Sequence, residues 1–418
     1  MGNQPMRPKP PHAAALRARV DESCETAAEA ILDADVLLLA TGAGWSADSG
    51  LAVYRDIAKI EAYAERDLDY RDMCKPSWLA EAPELFWGFW GSCFNDYRST
   101  APHGGYGIVR GWRDGLFARS ELAKTIRDRV RREELVPSLE DLKIEEEANA
   151  PSPPPGAFFV YTSNVDAHSY DAFDAGEIRE CHGNVELYQC GAAPRPCARR
   201  AWRAPRDHAF AVDAATMLAP RDATGAGGPA AEEKAAVDDV PKVGATAGAA
   251  RDAASLLRCM PAESCDREAS FATNWPTCPA CGGPARPAVL MFEDCAWVDS
   301  AAQDRRYREW VLAVRSAATE LDRPLKVAIL EVGAGGNVTT VRCESEHVFR
   351  GADNVETTLI RVNPELPLPD GDPEKLHAGD VAVVSVMCRG LEAVEKIDAA
   401  LKDRRPDLFD RGAFEELA

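Results

Sequence analysis

The sequence predicts an α/β fold, an open and doubly wound parallel sheet, from three observations. Six apolar runs of strand length recur along the chain: Val36 to Ala40, Phe158 to Tyr161, Val289 to Phe292, Val327 to Leu330, Leu359 to Val362 and Val381 to Val386. They are largely apolar on both faces, as strands covered by helices on either side must be, whereas half-exposed strands alternate. Helical-looking stretches fall between them, residues 301–320 for example, and that alternation belongs to a parallel sheet with helices on both faces. The first run ends in Thr41-Gly42-Ala43-Gly44. A glycine turn leaving a parallel strand opens the ligand crevice of such sheets and makes the fold Rossmann-like.

In chain order, residues 1–14 read as a flexible proline-rich tail, and an amphipathic helix runs from about Ala15 to Asp33. Residues 15–185 and 285–418 make the Rossmann-like domain, which carries a helical insertion at about 56–135. Residues 186–284 form a small second module, marked by cysteine pairs. Residues 137–156 are acidic and end in Pro151-Ser152-Pro153-Pro154-Pro155, an exposed loop. Residues 219–270 are dominated by Ala, Gly, Asp and Glu. With so little large apolar surface they do not offset their ordering entropy and read as a disordered or only locally helical insertion in the small module.

Composition narrows the function classes. The chain has 418 residues, 46% hydrophobic and 28% charged, enough for a real core. No apolar run approaches the ~20 residues of a membrane helix, so no membrane partner is expected. The 48 basic against 68 acidic side chains give a net charge of −20, which argues against direct nucleic-acid binding. Thirteen cysteines are an odd number and cannot all pair. With no signal peptide, they point to a reducing intracellular compartment, cytoplasmic or nuclear, with thiols reserved for metal. Arg7, Lys9, Arg17 and Arg19 precede any acid, as in a mitochondrial or plastid transit peptide, but Pro5, Pro8, Pro10 and Pro11 oppose an amphipathic helix there.

Four motifs carry chemistry. In Gly42-Ala43-Gly44-Trp45-Ser46-Ala47-Asp48-Ser49-Gly50, glycines after a strand let backbone N–H groups approach a pyrophosphate, although Ala47 stands where the dinucleotide fingerprint has its third glycine. A tight turn without a ligand is the plainer reading. Tyr161-Thr162-Ser163-Asn164-Val165-Asp166-Ala167-His168 leaves another strand, so Asn164 and Asp166 either face one ligand or close an Asx-type turn. His182, in Glu180-Cys181-His182-Gly183-Asn184, is a candidate general base with a pKa near neutrality, although a lone histidine is more often structural. Cys278-Pro279-Ala280-Cys281 and the looser pair Cys190 and Cys197 offer four thiolates to one structural Zn²⁺, with Cys259 and Cys265 as rival ligands.

The order of these pieces resembles the sirtuin family of NAD-dependent protein deacylases. Further matches are Arg286-Pro287, Gly333-Ala334-Gly335 after a strand and Val362-Asn363 at the end of another. The likeness extends from about residue 30 to residue 400 without the two insertions. Trp87-Gly88-Phe89-Trp90, Ala101-Pro102-His103-Gly104 and Thr339-Thr340-Val341-Arg342 are most similar to a divergent microbial branch. The resemblance implies that Gly42, Ala43 and Gly44 cradle the NAD phosphates, with Ser46 and Arg55 nearby. Asn164 and Asp166 would line the nicotinamide pocket beside Ser163, which replaces the usual Gln. His182 would be the base, and Gly333, Ala334 and Asn363 would hold phosphate and adenosine ribose. The implied reaction moves an acyl group from a protein or peptide lysine to ADP-ribose and releases nicotinamide.

Two departures favour other readings. Ala52-Val53-Tyr54-Arg55 stands where the family has Pro-Asp-Phe-Arg, and Asp56 to Glu61 lacks the glycines of a closing loop. A protein ADP-ribosyltransferase, or a catalytically weakened module that binds NAD or ADP-ribose, would use the same crevice. Trp87, Phe89, Trp90 and Phe94 lie at helical spacing and read as core. Cys181 reads as a buried thiol and His103 as a loop residue without a role. Acyl preference, protein substrate and oligomeric state are not legible.

Overall fold

The computed structural model describes residues 7–52, 60–134, 153–197, 201–222, 267–370 and 381–408. Arg55, Cys259 and Cys265 lie outside them, as do most of the acidic loop and of the 219–270 insertion. Nine strands are described: β1 (Val36–Thr41), β2 (Phe158–Thr162), β3 (Ile178–Glu180), β4 (Gly183–Cys190), β5 (Ala201–Arg203), β6 (Ala285–Val289), β7 (Leu325–Val332), β8 (Val355–Val362) and β9 (Val381–Val386).

Six of them form one parallel sheet in the order β3-β2-β1-β7-β8-β9. The chain steps outward from β1 to β3 on one side, then returns to the middle and steps outward from β7 to β9. That is the doubly wound Rossmann order, and its reversal lies between β1 and β7. Both central strands are buried, β1 along its whole length, which explains their uninterrupted apolar sequence. Helices Val20–Asp33, Gly104–Trp112 and Gly390–Arg404 pack together, and Glu121–Glu134 packs on Ala301–Ala318. Two of the buried indoles find acceptors, Trp310 Nε1 at the Gly156 carbonyl (2.7 Å) and Trp112 Nε1 at Asp398 (2.9 Å).

A second, smaller core surrounds the antiparallel sheet β5-β4-β6. Helix Pro83–Ser99 lays Trp87 and Phe94 against Tyr188 of β4 and Phe210. The four aromatics read as core are therefore core, but residues 60–99 belong with the small sheet rather than the parallel one. Their aromatic face packs on Tyr188 of β4 and joins the smaller core.

Three local expectations change. The run Val289 to Phe292 is not a parallel strand: β6 ends at Val289, pairs antiparallel with β4 and lies at the sheet edge, where Pro287 removes no needed donor. Beyond it Phe292 N–H donates to the Cys74 carbonyl (2.9 Å). At the N-terminus a helix already begins at Pro10, because proline loses nothing in a first helical turn, and Arg19 separates it from the helix Val20–Asp33. The small module also keeps more of the insertion than expected: Ala219 is buried and its N–H donates to the Glu84 carbonyl (2.9 Å). No helix among the described residues is long and apolar enough to cross a membrane.

Candidate functional site

The reversal between β1 and β7 brings two glycine turns together. Gly42 N–H donates to the Val332 carbonyl (3.0 Å) and Gly44 N–H to the Gly333 carbonyl (2.9 Å). A Cβ on Gly44 would lie 2.7 Å from Gly333 Cα, and one on Gly42 equally close to Ala334 Cα. Gly333 itself has φ +68, the left-handed region that side chains disfavour. These glycines are thus required by contact between the two turns. The N–H groups of Gly42 and Gly44 face β7, whereas Ala43 between them lines the crevice. Asn363, at the end of β8, donates from Nδ2 to the Ala334 carbonyl (2.9 Å) and accepts at Oδ1 from Glu365 N–H (2.9 Å) and Leu366 N–H (2.8 Å). Gly333, Ala334 and Asn363 form a rigid frame beside the turn.

The crevice is a narrow cleft open to solvent, with Ala43, Ser46, Ser163, Asn164 and Asp166 on its walls. The loops leaving β1 and β2 are tied at their roots by Thr41 Oγ1 donating to Thr162 Oγ1 (2.7 Å). Farther out, the Ser46 hydroxyl donates to Asp166 Oδ2, and His168 N–H donates to Asp166 Oδ1 (2.9 Å). His168 is fully buried with Nε2 on the Tyr97 carbonyl (3.2 Å), so it braces Asp166 from behind. Asn164 is 8% exposed, and its Nδ2 has no partner among the described residues. A buried amide left unpaired costs about 1–3 kcal/mol. Such a donor beside an anchored carboxylate suits a ligand that offers both an acceptor oxygen and an N–H.

His182 follows β3 and is half-buried. Its Nε2 lies 3.2 Å from Thr340 Oγ1, and the ring is also hydrogen-bonded to the Ser163 main chain. Burial, then the Arg179 guanidinium, hold its pKa below the ordinary histidine value, so the ring is neutral at neutral pH and able to accept a proton. Its neighbours are not competent to do so. Burial pushes Glu180 up to about 8 and the Cys181 thiol up to about 12. Glu180 accepts from Asn184 Nδ2 (2.6 Å) and the Tyr170 hydroxyl (3.1 Å) as part of the scaffold. Ser163 connects the two halves of the site, one side on the crevice and its main chain on the imidazole.

The four cysteines chosen from spacing converge. Ligand sulfurs of Cys190, Cys197, Cys278 and Cys281 all lie within 4.8 Å of one another, with Cys190 to Cys281 at 3.8 Å and Cys197 to Cys278 at 3.5 Å. Tetrahedral Zn–S bonds of about 2.3 Å place sulfurs about 3.8 Å apart, so the set fits one structural zinc. The N–H groups of Ala192 (3.5 Å) and Cys197 (3.4 Å) point at the Cys190 sulfur, which favours its thiolate. The 80-residue separation in sequence did not matter, because β4 and β6 pair and deliver both cysteine pairs to one end of the small sheet.

Three contributors were not foreseen. Phe89 and Trp90 line the crevice as well as the small core; helical spacing shows which face is apolar, not that the face ends at a cleft. Thr340 touches His182, yet nothing in Thr339-Thr340-Val341-Arg342 marks a side-chain role. No family model and no curated protein matches the chain. Among solved structures, a Sir2 homologue in complex with NAD aligns over 92% of this chain and 94% of its own, at 14% identity and a TM-score of 0.44. A triple mutant of Sir2 homologues in complex with 2′-O-acetyl-ADP-ribose aligns over 93% and 98%, at 14% identity and a TM-score of 0.43. The strand order and the crevice stand on this chain's own hydrogen bonds.

Proposed function

We propose that this protein is an NAD-dependent protein-lysine deacylase of the sirtuin kind. One observation carries the reading: Ala43 and Ser46 from one motif and Ser163 to Asp166 from another line one crevice beside the sheet reversal, and the Ser163 main chain joins it to His182. When bound, NAD would supply a pyridine leaving group and a ribose able to receive the acyl group. Ala43 and Ser46 would border its phosphates. Asn164 Nδ2, unpartnered now, would donate to the carboxamide oxygen, and the Asp166 carboxylate would accept from the carboxamide N–H. The neutral His182 imidazole would take a proton from a ribose hydroxyl, while the aromatic wall of Phe89 and Trp90 excludes water. Arg55 is proposed from the sequence resemblance alone. One structural zinc would hold the small module in place, leaving no open coordination position for chemistry.

Nicotinamide release from NAD, measured with and without a panel of acyl-lysine peptides, tests this. Peptide-dependent release with formation of O-acyl-ADP-ribose is expected. Labelled protein would instead mean ADP-ribosyl transfer, and binding without turnover would mean a sensor. Abolition of turnover in His182→Ala with zinc retained is expected; unchanged turnover would remove the base assignment.

A further inference from the structure

His182 has two ring nitrogens, and its surroundings distinguish them. Nε2 faces Thr340 Oγ1 at 3.2 Å. The other contact is the Ser163 main chain. Ser163 N–H already donates to the Thr41 carbonyl (3.1 Å), so the group Ser163 offers the ring is its carbonyl, which only accepts. A neutral imidazole carries one N–H and one lone pair. Because Nε2 faces Thr340, Nδ1 is the nitrogen left for that carbonyl; with the proton there, the lone pair is on Nε2 and the Thr340 hydroxyl donates to it.

We propose that Thr340 is a positioning residue for His182: in the ligand-free protein its hydroxyl donates to Nε2, fixes the Nδ1–H tautomer and holds the basic nitrogen at the first turn of helix Thr340–His347, and a ribose hydroxyl replaces it as the donor when the dinucleotide binds. The two residues come from different parts of the chain, His182 after β3 and Thr340 after β7, so the bond also spans the reversal of the sheet. Charged groups around the ring are few. Arg179 lowers its pKa and Asp299 raises it, and these two are bound to each other at 2.7 and 2.6 Å. On the Thr340 helix, Glu344 is held by the Tyr307 hydroxyl (2.7 Å). None of these is a second donor to Nε2 among the described hydrogen bonds. The tautomer assignment needs no cofactor; its catalytic consequence rests on the deacylase reading.

The test is nitrogen NMR of the ring in histidine-labelled full-length protein, titrated without cofactor. The wild type is expected to show a protonated Nδ1 and an unprotonated Nε2. Thr340→Val keeps the shape but removes a donor that favours the neutral ring. The His182 pKa should therefore rise by about half to one pH unit, a hydrogen bond of about 1 kcal/mol expressed on that scale, and Thr340→Ser should restore it. Zinc content reports that each variant is folded. The acid limb of kcat/KM should move with the ring pKa in the same variants, a shift that a merely structural threonine would not produce. A proton on Nε2 in the wild type, or an unmoved pKa in Thr340→Val, overturns the proposal. The predicted ring behaviour with no nicotinamide released would instead overturn the deacylase reading and leave the pair intact.

Discussion

Ser46 and Asp166 join the loops that leave β1 and β2, the hydroxyl of the first donating to the carboxylate of the second. Asp166 also accepts from His168 N–H, so both carboxylate oxygens are oriented before any ligand arrives. Asp166→Asn puts an N–H group where one of two donors now points. We expect the NAD dissociation constant to rise by at least tenfold, with a smaller loss, about fivefold, for Ser46→Ala, the equivalent of one hydrogen bond of about 1 kcal/mol. Calorimetric titration of the variants checks this; equal affinity would separate Asp166 from the binding site.

The glycine turns make a stability prediction. Gly333→Ala places a Cβ against the Trp45 nitrogen, at 2.4 Å, on a residue with φ +68. Strain in that region alone costs about 1–3 kcal/mol, and the turn of β1 must also shift. Gly335→Ala meets nothing within 4 Å and should stay within about 0.5 kcal/mol of wild type. Urea denaturation of the two variants measures the difference.

The fold was legible where one physical cause dominated. Strands β1, β2, β7 and β8 are buried between helices, and burial writes itself as an unbroken apolar run. The same cause misplaced Val289 to Phe292, because an edge strand on a second apolar core has the same composition as a strand in the parallel sheet. β3 is only three residues long and has no periodicity to detect. The placement of Asn164 and Asp166 on the crevice wall was legible because polar residues at strand ends mark a crevice. The direction of the Gly42 and Gly44 N–H groups was not, since it depends on a turn nearly 300 residues away. Thr340 was hidden for the same reason: its meaning lies in its distance to His182.

Zinc removal should act on the small core first. One zinc per chain is expected by elemental analysis. Cys278→Ser, buried in that core, should lose the metal and lower the melting temperature, with a change in the fluorescence of the tryptophans in helix Pro83–Ser99. Cys295→Ser alters an exposed thiol outside the cluster and should keep the metal. Full zinc content in Cys278→Ser would contradict the ligand set.

Glu180 sets a pH dependence with a definite sign. Its folded pKa is raised by burial to about 8 from an ordinary 4.5. The folded protein therefore holds a proton that the unfolded chain releases between those values. Its contribution is fully present below about 4.5 and is lost as pH rises through 8. Glu180→Gln should flatten that decline, so the variant gains on wild type in urea melts at pH 8 relative to pH 5. A constant difference across that range would mean Glu180 is ionised in the fold.

In the proposed function the β1–β7 reversal holds a pyridine dinucleotide with His182 beside it. The most direct measurement is calorimetric titration of NAD into wild type, His182→Ala and Asp166→Asn. Saturable binding at one NAD per chain is expected, kept in His182→Ala and weakened at least tenfold in Asp166→Asn. No heat of binding in the wild type at millimolar NAD would contradict it.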